Sequence, residues 1–334
     1  MATHFFGLTQ RTFTFSHSIG RNEFAGTGLR NPVDFAVTPN DTVYIVNRSY
    51  ENRPDGVRMS ILTLNEEYIT EFAAYGEGDG QFIWPTSCAL DADGNVYVAD
   101  EWLNRIAIFD KDGEYLRSWG KAGSGDGEMD RPAGMSISSD GTMFISDSRN
   151  SRIQKFSLDG KYIGKFGSFG SGPGQFNMPW GVSVGPDGNV YVADWRNDRI
   201  QIFTSSGDWQ ASVGQSGSGV GQFNRPSSVC ADADGDIYVA DWLNNRVQVL
   251  SAEGRYVADM RGDAGLSQWG KEKLQSNPDM IRQRALAFAN NPNFEKDLGH
   301  PCAVKIDSKG QVCILDHTRG RIQVYAKSKD PVLV

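Results

Sequence analysis

A spacing of 47 residues recurs along this 334-residue chain and narrows what it can fold into. Pro85, Pro132, Pro179 and Pro226 stand 47 apart, and so do Asp100, Asp147, Asp194 and Asp241. A period of roughly 40–50 residues marks an array of one supersecondary unit, in which each copy buries its apolar face only against its neighbours. In the unit from Pro179, residues 180–184 form a short alternating run and 185–189 a tight turn. Residues 190–193, 200–203 and 209–213 follow as three further short apolar runs. Four short strands joined by short turns predict an antiparallel meander. Meanders repeated round an axis predict an all-β propeller.

The interval from proline to aspartate is 15 in the regular units, and Pro32 to Asn47 and Pro301 to Asp316 keep it. Six four-stranded blades are expected, starting near residues 32, 85, 132, 179, 226 and 301 of one domain spanning 1–334. The sixth unit runs out of chain before its fourth strand. Residues 12–20 can supply it, because Gly20 precedes Pro32 by 12 residues, as Gly120, Gly167 and Gly214 precede their own prolines. The N-terminal strand is thus expected to close the ring, which removes open sheet edges.

The repeat is broken twice, both times in a loop after an even-numbered strand. Blade one carries a six-residue insertion within 48–57. Pro226 and Pro301 lie 75 apart, so about 28 residues are added between blades five and six (75 − 47). This insertion, 263–299, is expected on the loop-rich face with two short helices, 266–275 and 278–289. Asn277 suits the cap and Pro278 the first turn of the second helix. Long insertions in compact domains commonly serve as lids or binding loops.

Composition excludes some roles. With 33 Lys and Arg against 41 Asp and Glu, the net charge of −8 disfavours duplex nucleic acid and anionic membrane as partners. No apolar run reaches the ~18 residues of a membrane-spanning helix. No basic segment followed by an apolar core opens the sequence, so a cytoplasmic location is expected. Cys88, Cys230, Cys302 and Cys313 fall in apolar strands without a CxxC pair and read as small buried reduced thiols.

Units reading P-x-G-V-x-V-x-x-D-G-N-V-Y-V-A-D-x-x-N-x-R-I-Q-x-F, matched closely by residues 179–203 and well by 132–156 and 226–250, resemble the NHL repeat. The resemblance implies a six-bladed propeller. It also implies a choice among protein-binding modules, RNA-binding modules and a zinc-dependent lyase that cleaves peptidyl-hydroxyglycine. In that lyase, zinc-binding histidines directly follow the repeat proline in several blades. Here those positions hold Val33, Thr86, Ala133, Trp180, Ser227 and Cys302, so the zinc-lyase histidines are absent. Related calcium-dependent lactonases use acidic and amide ligands around the channel. Asp34, Asn47 and Glu101 imitate these loosely, without a matching motif.

Strand direction alternates, so the loops after strands two and four share one face and the tight turns share the other. Asp232-Ala-Asp-Gly-Asp236, on the turn face, resembles a calcium loop but lacks its downstream bidentate Glu. A hairpin turn is the expected reading. The loop-rich face collects the unusual side chains. Trp84, Arg131, Arg225 and His300 precede repeat prolines, and Trp180 follows one. Glu101, Trp195, Trp242 and His317 follow the aspartate, with Trp102, Arg149 and Arg196 beside them. Each tryptophan also has a packing reading, as cover for the neighbouring blade. The Asp and Arg pairs five residues apart recur in several units and read as architecture.

Two main functions follow from this rim. A recognition module would bind an anionic or aromatic small molecule or peptide through Trp84, Trp102, Arg131, Arg149, Trp180, Trp195, Arg196, Arg225 and Trp242. A lyase or hydrolase at the same mouth would use His300, His317 and Glu101 for proton transfer. Asp34, with His300 and His317, would hold a divalent metal in such an enzyme. Single-stranded RNA, gripped by stacking and phosphate contacts, is a third reading that the net charge disfavours.

Overall fold

The structure, a computed structural model, describes residues 9–22, 28–50, 52–291, 293 and 295–331. The outer parts of the expected 1–334 domain, including His4, lie outside these residues. The described chain is a six-bladed β-propeller, each blade a four-stranded antiparallel sheet. Blade four shows the unit: Pro179–Val184, Val190–Asp194, Arg199–Phe203 and Trp209–Val213, hydrogen-bonded in sequence order. The first strands, which begin at the repeat prolines, contact one another round the ring and form the channel wall.

Apolar side chains from facing blades make a separate buried cluster at each junction. Tyr191, Ile202, Val229 and Val239 lie between blades four and five, for example, and Phe35, Ile45, Leu315 and Ile322 where blade six meets blade one. The residue three before each proline is apolar and buried in every blade: Leu29, Phe82, Met129, Phe176, Phe223 and Leu298. Three of these lie in two-residue parallel pairings that lock the blade linker, such as Ser168–Phe169 with Gln175–Phe176.

Blade six is completed as expected. The N-terminal strand Thr9–Ile19 pairs antiparallel with Arg321–Pro331, with a bulge between Phe15 and His17. Its Ile19 enters the junction with blade one.

The recurrent Asp–Arg pairs are architectural. Arg199 Nε donates to Asp194 Oδ2 at 2.9 Å, and Arg246 Nε to Asp241 Oδ2 at 2.8 Å. The same aspartates accept backbone N–H groups from the incoming linker, Asn177 to Asp194 and Asn224 to Asp241. Each arginine continues to linker carbonyls, as Arg246 does to Gly219 and Gln222. Burial pushes the Asp194 carboxyl up, and these donors pull it back towards the charged form.

The insertion between blades five and six contains α1, Gln268–Gln275, and α2, Pro278–Asn290. Asn277 caps α2 by accepting from the Asp279 N–H, and Pro278 opens its first turn. Ser267 caps α1, and Trp269 is buried against the blade six–blade one junction. Glu66, in a turn of blade one, accepts from the N–H groups of both Gln268 and Gly20. Arg21 donates to the Trp269 carbonyl. These contacts tie α1 to the ring closure, and among the described residues no hydrogen bond or ring contact joins either helix to the rim tryptophans.

Candidate functional site

The channel is closed in its middle. Val33, Thr86, Ala133, Trp180, Ser227 and Cys302 all line a constriction that leaves a cavity of only ≈ 20 Å³. Two glycines permit this tightness. A Cβ on Gly134 would lie 2.3 Å from the Trp180 carbonyl oxygen, and one on Gly181 2.6 Å from that of Ser227. Neighbouring blades are also stitched through the proline carbonyls. Thr86 Oγ1 donates to Pro132, Ser148 Oγ to Pro179 and Ser227 Oγ to Pro301.

His317 occupies the same kind of position as Ser148. Its Nδ1 lies 2.9 Å from the Pro32 carbonyl oxygen, which fixes Nδ1 as the protonated nitrogen and leaves Nε2 as the basic one. Burial holds the His317 imidazole below its ordinary value, and the neighbouring His300 and Arg48 add to this. His300 stands beside it, accepting the His317 N–H through its carbonyl at 3.4 Å and sharing a hydrogen bond between Nδ1 and Thr318 Oγ1. The two histidines are therefore brought together at the closing junction.

Glu101 is buried and committed to Arg48, whose Nη2 lies 2.6 Å from its carboxylate. Asp34 lies in the channel wall, 3.4 Å from the Lys305 ammonium, and also accepts the Cys88 N–H. Burial pushes the Asp34 carboxyl up, against the pull of Lys305. The structure does not gather Asp34, His300 and His317 into one ligand set. Among the described residues, the acidic, imidazole and thiol groups that converge in threes are Asp232, Asp234 and Asp236, with ligand atoms within 4.8 Å of one another.

That triad already holds a cation. Lys327 Nζ, from the third strand of blade six, lies 2.5, 2.9 and 2.7 Å from Asp232, Asp234 and Asp236. Lys329 pairs with Asp234, and Arg11 Nε reaches Asp236 at 2.5 Å. The sequence reading of 232–236 as a turn holds, since Asp232 closes it by accepting the Asp234 and Asp236 N–H groups. What the sequence did not reveal is the lysine from another blade that fills its centre.

The rim divides into two aromatic groups. In blades four to six, Trp180 and Trp195 have centroids 6.1 Å apart and Trp195 and Trp242 6.3 Å, with tilted planes. His300 meets Trp242 edge-on at 5.9 Å. The Arg225 guanidinium sits 4.8 Å over the Trp195 ring and Arg196 5.7 Å from it. In blades one and two, Trp84 and Trp102 form a T-shaped pair at 4.8 Å. Arg48 and Arg131 lie 5.1 and 5.6 Å from the Trp84 ring.

Backbone geometry sets these side chains on the rim. Arg131, Met178, Arg225 and His300, each just before a proline, have φ between 54° and 58°. This left-handed region costs a non-glycine residue about 1–2 kcal/mol. It is held by the preceding blade: Asn104, Asp198 and Asn245 accept the N–H groups of Arg131, Arg225 and His300, each at 2.8 Å. Among the described residues, Arg131, Arg149 and Arg196 meet no carboxylate within 4 Å, so the rim carries uncompensated positive charge in an acidic protein. Trp102 and Arg149 are exposed, and Trp180, Trp195, Trp242, Arg131 and Arg225 half-buried.

A wide cavity of ≈ 1070 Å³ opens on the opposite face. Turns of blades three to six, including Ser138, Asp140, Gly185, Asp234 and Ser308, form its wall with Lys305 and Lys327. Sequence reasoning missed it, because each turn is ordinary by itself and only the ring brings them together.

The comparisons agree on fold. The NHL-repeat family matches residues 176–203 and 223–250, and a family described as a 6-bladed beta-propeller matches 79–165. No curated protein matches the sequence. A solved structure of a protein of unknown function from Bacteroides thetaiotaomicron has a TM-score of 0.63 at 17% identity, covering 96% of this chain and 77% of its own. Virginiamycin B lyase from Staphylococcus aureus has a TM-score of 0.56 at 15% identity, covering 95% and 99%. The same lyase has been solved with quinupristin in a form made catalytically inactive by a His→Ala substitution, again at 0.56 and 15%, covering 95% and 99%. At these identities the likeness shows the fold alone.

Proposed function

Because the chain is a six-bladed propeller that carries NHL repeats, we propose that it is a ligand-recognition module whose loop-rich rim binds an anionic ligand with a flat aromatic part. One observation carries this reading. Trp180, Trp195 and Trp242 form a continuous arc across blades four and five, and Arg225 and Arg196 are stacked on its centre. Tryptophan and arginine in this combination offer stacking area together with two-point hydrogen bonding to a carboxylate or phosphate. The guanidiniums of Arg131 and Arg149, which meet no carboxylate among the described residues, extend the positive rim, and the closed channel confines a ligand to the surface.

Tryptophan fluorescence tests it, with 1-naphthoate, its neutral amide and acetate as probes. Naphthoate is expected to give a saturable change that the other two do not. Arg225→Ala is expected to weaken it about tenfold or more, from the ~1.5–3 kcal/mol of a hydrogen bond to a charged group, and Trp195→Ala about threefold or more, from the ~0.5–1.5 kcal/mol of an aromatic pair. A naphthoate response unchanged in both variants overturns the proposal.

A second reading is a lyase or hydrolase at the same mouth. His317 supports it: Nε2 is free of protein partners in the described contacts, and burial keeps the ring neutral beside His300. Such a ring can take a proton from a bound substrate. Incubation with quinupristin, followed by mass spectrometry, separates the readings. Product that forms with the native chain and fails with His317→Gln supports catalysis, and intact quinupristin with both leaves recognition alone.

A further inference from the structure

The six-residue insertion of blade one builds a second pocket, apart from the tryptophan arc. The short 3₁₀ turn Pro54–Gly56 packs against the pair Ala74–Tyr75 in the linker to blade two. Between them lies a cavity of ≈ 360 Å³, within the range of small-ligand sites. Its walls are Tyr50, Tyr75, Trp84 and Trp102, over an apolar floor that includes Val57 and Ile83. Tyr50 is 41% exposed, Tyr75 49% and Trp102 51%, which is far more than their packing needs.

We propose that this pocket binds a proline-rich peptide segment flanked by a basic residue. Three features select that occupant. Each of the four aromatic walls carries an indole N–H or a phenol O–H on its side chain, and no hydrogen bond engages any of these four side-chain groups among the described contacts. The site is therefore rich in donors. Proline lacks a backbone N–H and keeps its carbonyl, so a proline-rich segment offers an excess of acceptors to match. Its polyproline II shape is preformed, and aromatic-lined grooves recognise it at low entropic cost.

The second feature is charge. Arg30 stacks on Tyr50 at 4.2 Å, and Arg48 stacks on Trp84. These guanidiniums already cover one side of the aromatic wall, so a cationic group is not the ligand of the pocket itself. The third lies at its outer edge, where Glu77 and, two residues on, Asp79 are exposed and form no ion pair among the described residues. A basic residue next to the prolines would meet them there. An oligosaccharide, the competing occupant, brings a donor on every hydroxyl that needs an acceptor, and Glu77 is the lone carboxylate in the lining.

The test uses the full chain and calorimetric titration with four probes: Arg-(Pro)8, (Pro)8, the serine counterpart Arg-(Ser)8, and cellohexaose. Arg-(Pro)8 is expected to bind and Arg-(Ser)8 and cellohexaose not to. Tyr50→Ser and Tyr75→Ser, both at exposed positions, are expected to weaken Arg-(Pro)8 at least fivefold while leaving the naphthoate response intact. Glu77→Lys should weaken Arg-(Pro)8 and leave (Pro)8 unchanged. Absence of Arg-(Pro)8 binding at millimolar concentration, binding indifferent to both tyrosines, or preferential binding of cellohexaose overturns the proposal. Loss of the naphthoate response in Arg225→Ala, by contrast, bears only on the rim.

Discussion

His317 donates Nδ1–H to the carbonyl that begins blade one, and burial depresses its basicity. The unfolded chain therefore binds a proton that the folded chain resists, as pH falls below the ordinary value of 6.5. The folded state keeps its full stability above that value and loses some as pH falls towards the lower folded pKa. In His317→Gln, the drop in denaturation midpoint from pH 8 to pH 5 is expected to be smaller than in the native chain. An equal drop would show that the ring titrates freely. Lys327 works in the opposite sense. Burial alone would lower its ammonium, and the three aspartates outweigh this and raise it. Lys327→Met leaves three carboxylates facing one another and is expected to cost about 3–5 kcal/mol, the usual penalty for removing one partner of a buried ion cluster. Lysines 329 and 327 hold the Asp234 carboxyl down to about 2. Its contribution is thus present above the ordinary 3.8 and is lost as pH falls from there to about 2. Urea midpoints across that window are expected to fall less steeply in the lysine variant.

At the level of strands and loops, the repeat spacing made most of the fold legible. Proline positions, with an aspartate or, in blade one, Asn47 fifteen residues on, located every blade, and Asn277 with Pro278 located α2, because cap and turn chemistry is local. The Asp–Arg pairs were legible for the same reason, since partners five residues apart meet across one hairpin. The closed channel was not legible. It depends on first strands of different blades approaching so closely that Gly134 and Gly181 have no room for a Cβ. Neither glycine needs an unusual φ, so nothing in its local sequence advertises the contact. Gly181→Ala is expected to destabilise the chain by about 1–3 kcal/mol through overpacking against the Ser227 backbone. Gly188→Ala, where a Cβ meets nothing but φ is 78°, separates steric from conformational cost. A neutral Gly181→Ala in thermal melts would mean that blades four and five can part without loss. The rim was half legible for related reasons. Its residue types were visible in the sequence. Glu101 and Asp34, however, meet Arg48 and Lys305 from other blades, and those pairings required the ring.

For the whole molecule, stability rests on closing a ring whose last sheet is shared by the two ends of the chain. The N-terminal strand pairs along residues 9–19 with residues 321–331 and also reaches sideways. Arg11 holds Asp236 of blade five, His17 Nε2 bonds the Leu64 carbonyl of blade one, and Ser18 holds Gly265 of the insertion. A strand that bridges both neighbouring blades resists opening of the ring in either direction. Its removal would expose the edge of 321–331 together with the apolar faces of Tyr325 and Ile322, a template for pairing with other chains. It would also leave Asp236 with one cation fewer and Trp269 of α1 partly uncovered. Deletion of residues 1–20 is therefore expected to give a chain that aggregates or fails to fold, measured by sedimentation and by loss of a cooperative melt. Supplying residues 9–20 as a separate peptide should restore part of the soluble fraction, because the ladder needs the strand and not its covalent link to blade one. A truncated chain that stays monomeric and melts cooperatively without the peptide would show that five complete blades and three strands suffice, and that the closure is dispensable.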